Sequence, residues 1–193
     1  MSVGVSLHEA FLRLQVRALV LFGQRHRALD TVDEMLCLRA NNAYALATRA
    51  HLLAELGDRA GAQQALQRLV DVQPDQPAGW FNLGYLSEEM GQLEEAERAF
   101  RRALDLDPKL DRAWYGLALS LIRQRRFDEA VVALRRNTEL QPMSPYGWYQ
   151  LARVHVDRQE PDEAAKIIRH LRQFEPKVAA QLERETGLGQ APG

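Results

Sequence analysis

Trp80, Trp114 and Trp148, the only tryptophans in the chain, stand 34 residues apart. Pro74, Pro108, Pro142 and Pro176 keep the same interval, as do Ala28, Ala62, Ala96, Ala130 and Ala164. One period shared by three residue types means that a short unit is repeated about five times. A unit of this size cannot bury its hydrophobic face alone, so consecutive units must stack on one another.

Aligning on the tryptophans gives five frames without insertion or deletion: 9–42, 43–76, 77–110, 111–144 and 145–178. Within a frame, apolar or small residues recur at positions 4, 7, 8 and 11 and again at 20, 24, 27 and 28. Both sets have helical spacing, so each frame predicts two amphipathic helices, A and B. The third frame reads Trp80, Leu83, Gly84, then Ala96, Phe100, Ala103 and Pro108. This pattern resembles the tetratricopeptide repeat (TPR), a 34-residue helix–turn–helix unit. The resemblance implies an all-α fold, a right-handed α-solenoid of five helix–turn–helix repeats plus a short C-terminal capping helix. It predicts one domain over 9–186, a lead-in over 1–8 and a disordered tail over 187–193.

The remaining regularities are structural devices. Gly23, Gly57 and Gly91 mark the A–B turn, where a helix end favours positive φ. Arg125 and Gln159 hold that slot in the last two frames, which predicts strained or differently built turns there. Glu94–Glu95, Asp128–Glu129 and Asp162–Glu163 begin helix B, where negative charge complements the helix dipole. Residues 177–186 read as a cap over the last repeat, with Val178 and Leu182 inward, Glu183, Arg184 and Glu185 outward, and Gly187 at its end. The tryptophans are expected to be buried between helices.

Composition narrows the function. With 25 basic against 26 acidic residues the net charge is −1, and acids interleave with bases, so no basic stripe draws the chain to nucleic acid or anionic membrane. No apolar run approaches the roughly 20 residues of a membrane span. The stretch Met1–Gly4 carries no basic leader, and the apolar stretch 18–22 is short and follows Arg13 and Arg17, unlike a signal peptide, so the chain reads as cytoplasmic. Cys37, the only cysteine, excludes an intrachain disulfide and reads as a small hydrophobe of helix B. The five histidines fall at five different frame positions and form no metal-ligand spacing, and His155 reads as a satisfied core residue. No catalytic, cofactor-binding or metal-binding set is expected.

What remains is a surface. Positions 2, 5, 9 and 12 of helix A point away from its packing face, and in TPR proteins the corresponding face lines the concave groove that takes peptides or partner helices. Here those slots, with Asn82 at the edge, carry Arg13, Arg17, Tyr44, His51, Phe81, Tyr85, Arg112, Tyr115, Tyr146, Tyr149 and Arg153. A merely solvated face would be charged, whereas aromatic residues and arginine are enriched in binding hot spots. The dicarboxylate clamp known in the family is not reproduced: of Ala47, His51, Asn82, Arg112 and Gly116, only Asn82 and Arg112 fit it. The expected function is a non-enzymatic adaptor that binds an extended segment or helix of a partner protein. The alternatives are a secretion or assembly chaperone holding an exported client, and a non-catalytic subunit of an enzyme complex. Neither nucleic acid nor membrane is an expected partner, and homo-oligomerisation is left open.

Overall fold

The computed structural model describes residues 2–188, with side chains from Leu7 onward. The chain divides into two compact units, Met1–Met90 and Gly91–Gly193, and the boundary falls between helices A and B of the third frame. The first unit holds α1 (Ser2–Leu21), α2 (Arg25–Leu38), α3 (Ala43–Glu55), α4 (Arg59–Val72) and α5 (Pro77–Glu89). The second holds α6 (Leu93–Leu106), α7 (Asp111–Arg123), α8 (Phe127–Leu140), α9 (Pro145–Asp157), α10 (Pro161–Arg172) and α11 (Pro176–Thr186). Within each unit every helix packs on the next one in sequence, and α11 also reaches back to α9. The stretch expected as a lead-in forms the first turns of α1. Most of the expected tail, 189–193, lies outside the described residues.

The turn between helices A and B is the same device in both units. In the second frame Gly57, at φ 86°, donates its N–H to the Ala54 carbonyl, and Asp58 donates to Leu53. This pair of bonds satisfies carbonyls that the end of an α-helix leaves open. Arg125 (φ 60°) with Arg126, and Gln159 (φ 63°) with Glu160, make the same pair of bonds. The last two turns are therefore not differently built. They hold non-glycine residues in the left-handed conformation, the strained alternative.

The tryptophan and proline beats share one cause. Each indole N–H donates to the carbonyl of the proline six residues earlier, Trp80 to Pro74 at 2.8 Å, and Trp114 to Pro108 and Trp148 to Pro142 at 2.9 Å. The proline ends helix B and holds the preceding residue out of the helical region (Gln73 at φ −129° and ψ 67°, Asp107 at φ −138° and ψ 93°), which presents the carbonyl to the next frame. Because the indole edge must reach this exposed loop, all three tryptophans are half-buried rather than buried as expected. Where Ala40 replaces proline and Leu46 replaces tryptophan, the Arg68 guanidinium donates to the Ala40 carbonyl at 2.8 Å instead.

Both cores follow the expected face. In the first unit Leu12, Val16 and Leu19 of α1 pack with Ala28, Val32 and Met35 of α2 and Ala45 and Leu52 of α3. In the second, Phe100 is buried and its ring fills the space where a Cβ on Gly116 would lie, 2.5 Å from the Phe100 Cζ. His155 is buried, with its Nδ1 2.7 Å from Glu160 Oε2. Cys37 is exposed, contrary to expectation, on the rim of a hollow lined by Asp33, Leu36, Arg49 and Arg68. In α11 the inward residues are Ala179 and Leu182, with Val178 only half-buried.

Candidate interaction surfaces

The twelve residues singled out on helix A fall into two groups. Arg13, Arg17, Tyr44, His51, Phe81, Asn82 and Tyr85 belong to the first unit, and Arg112, Tyr115, Tyr146, Tyr149 and Arg153 to the second.

In the first unit, α1 and α3 place the Arg13 guanidinium 5.0 Å from the centre of the Tyr44 ring. That distance suits a cation over an aromatic face. Beside it, Val16, Arg17, Val20, Leu21, Tyr44 and Thr48 line a shallow groove of about 350 Å³ with a mainly apolar wall. His51 Nε2 lies 3.6 Å from Glu55 Oε1, and the same carboxylate accepts from Arg25 Nε at 2.6 Å. The Arg25 hydrogen bond holds the Glu55 carboxyl below its ordinary range. On α5 the Phe81 and Tyr85 rings sit 6.5 Å apart, and the Tyr85 hydroxyl donates to Glu89 at 3.1 Å, which raises its pKa. Tyr85 remains 53% exposed, and Asn82 is exposed beside it.

In the second unit, burial raises the pKa of the Tyr115 phenol, which hydrogen-bonds Gln150. Tyr146 is 70% exposed, and Arg112 is also exposed. The Tyr149 hydroxyl donates to Glu185 of the cap helix at 2.7 Å and accepts from Arg153 at 3.3 Å. The Tyr149 hydrogen bond is the main cause holding the Glu185 carboxyl below its usual value. Glu185, expected to point outward, thus ties Tyr149 and Arg153 to α11. Glu183, also expected outward, pairs with Arg172. Glu55, Thr48 and Glu185 belong to these surfaces and were not among the groove residues read from the sequence. Among the described residues, no group of three or more His, Cys, Asp or Glu side chains could hold a metal ion.

Paired helices, of 12–14 residues from α2 to α10, glycine-type turns and the indole–proline bond define a helical-repeat protein. Two family models for the tetratricopeptide repeat match residues 47–111 and 88–149, together more than half of the chain. The chain belongs to the TPR family. No curated protein matches the sequence. Among solved structures it is similar to a MamA protein, at 18% identity and TM-score 0.83, covering 95% of this chain and 98% of that one. It is also similar to YrrB, described as a TPR protein with an unusual peptide-binding site, at 17% identity, TM-score 0.77 and 88% of each chain. PilW, a type IV pilus biogenesis factor, gives 18% identity and TM-score 0.73 over 94% of this chain and 87% of that one. At these identities the likeness shows the fold: an all-α TPR array with a C-terminal capping helix. Among the described residues, no helix is long and apolar enough to cross a membrane.

Proposed function

We propose that the protein is a cytoplasmic, non-enzymatic TPR adaptor that binds an extended segment or helix of a partner protein on its helix-A surfaces. The observation that carries this reading is the exposure of Tyr85 and Tyr146, at 53% and 70%, on faces that solvation alone would fill with charge. Large rings with few rotatable bonds lose little entropy when a partner covers them. Arg112, exposed in the same unit as Tyr146, and Arg13 over Tyr44 add charge for an acidic group on a partner. The peptide-binding site by which YrrB is described points to the same class of ligand.

The test is affinity capture from native lysate with the wild type and a Tyr85→Ala/Arg112→Ala/Tyr146→Ala variant as paired baits. The variant should keep its helical circular dichroism and bind the recovered partner at least about 30-fold more weakly. Unchanged affinity would sink the surface assignment. An exported client recovered at fixed stoichiometry would favour the chaperone reading instead.

A further inference from the structure

Helix α1 carries a second apolar face that the fold does not use. Leu12, Val16 and Leu19 form its buried face, yet Leu7, Phe11, Leu14, Leu21 and Phe22 are 69%, 62%, 66%, 81% and 75% exposed. With Ala18, also exposed, the positions Leu7, Phe11, Leu14, Ala18 and Leu21 advance by alternate steps of four and three. That is the spacing of a helix-pairing seam, about 21 Å long on one side of the helix. The stripe's centre lies roughly 100° around α1 from Arg13 and Arg17, and only Leu21, at its end, also lines the groove beside the Arg13–Tyr44 pair.

Its residue sizes show what cannot cover it. Phe11 occupies frame position 3, held elsewhere by Ala45, Gly79, Ala113 and Gly147, all buried. Those residues are small because the preceding helix B closes on them: a Cβ on Gly79 would lie 3.2 Å from Val70, and one on Gly147 would lie 2.2 Å from Asn137. A phenyl group at this slot bars another repeat from docking in the standard register. The area, however, suits a self-interface. At roughly 180–220 Å² per large apolar residue, the four large stripe residues together with Phe22, just past the end of α1, present about 600–700 Å². Monomers rarely expose so much in one patch. A stable interface takes about 800 Å² from each partner, and pairing two such stripes with their rims comes close to that.

We propose that the chain forms a two-fold dimer by pairing this stripe of α1 with the same stripe of a second copy, antiparallel. A dyad crossing near Leu14 lays the bulky Leu7–Phe11 half of one stripe against the slender Ala18 half of the other. Parallel pairing would set phenyl on phenyl and alanine on alanine, crowding one layer and opening the next.

Sedimentation of the full chain, at concentrations up to about 100 μM, should give twice the chain mass. Leu14→Glu should yield a monomer with unchanged helix content, because it sets like charges together at the dyad. Phe11→Ala should weaken the dimer at least about 30-fold, and Phe11→Ala/Ala18→Phe should restore much of that loss by moving the phenyl to the other half. In a Cys37→Ser background, Leu7→Cys protein should cross-link to Leu21→Cys protein more readily than to itself. A wild type that stays monomeric, whether or not it floats with phosphatidylcholine vesicles, overturns the proposal. So does a dimer indifferent to Leu14→Glu, a swap no tighter than Phe11→Ala alone, or preferential self-cross-linking of the Leu7→Cys protein.

Discussion

Gln159 holds a backbone conformation that costs an L-residue about 1–2 kcal/mol, and Gly57 shows what the same turn looks like without that cost. Both residues donate to the helix-end carbonyl by the same bond, so the turn's hydrogen bonding is indifferent to which residue is present. Gln159→Gly removes the Cβ conflict and gives back part of the gain, about 0.5–1 kcal/mol, as unfolded-chain entropy. It should stabilise the protein by about 0.5–1 kcal/mol, read as a rise of about 2 °C in a thermal melt. A fall in the midpoint would mean that the Gln159 side chain contributes more than its backbone costs. Arg125 is a less clean site for the same change, because its guanidinium sits 5.5 Å from the Phe127 ring centre. The sequence marked this slot as anomalous because glycine recurs there. It could not say whether the turn had changed or was simply strained, since that depends on backbone bonds between residues three and five apart.

Between helices, unit two is joined by charge as well as by apolar packing. Glu97 of α6 accepts from Arg126 in the α7–α8 turn and from Arg101 one turn along its own helix, while Arg101 and Arg126 both reach Glu129 of α8. Burial alone would push the Glu97 carboxyl up, but hydrogen bonds from Arg126, Arg101 and Gln124 outweigh it and leave the pKa lowered. A carboxyl whose pKa is lower in the folded state contributes stability above its unfolded value, about 4.3, and loses it as pH falls through the folded value. Glu97→Gln should therefore cost something under about 1 kcal/mol at neutral pH, a discount that reflects the solvent reaching its arginine partners. Its denaturation midpoint should converge with that of the wild type as the pH falls below the ordinary glutamate range; parallel pH profiles would remove the carboxylate from the account. This network was invisible in the sequence, where Glu94 and Glu95 read as charges on the helix dipole and nothing singled out Glu97. Helix period and packing face were legible because they depend on spacing along one helix. Rotation of the cap was not: whether Val178 or Ala179 faces inward, and hence whether Glu185 meets Tyr149, depends on how α11 seats against α9 and α10.

At the scale of the whole molecule, stability in a repeat array is spread over nearest-neighbour contacts instead of one central core. The twofold use of proline follows from that economy. Pro74, Pro108 and Pro142 end a helix B and offer a carbonyl to the next indole, whereas Pro176, on the same beat, opens α11 as its first residue. The cap replaces the next repeat by supplying Ala179 and Leu182, both fully buried, to the end of the array, while most of its other residues face solvent. Truncating Leu182 to alanine leaves a cavity under the cap and should cost about 2–4 kcal/mol locally. Because each repeat contacts only its neighbours, that loss should appear as faster amide hydrogen exchange in α9, α10 and α11, with α3 and α4 keeping their protection. Uniform acceleration along the chain would instead show one cooperative body, in which the cap stabilises every helix equally.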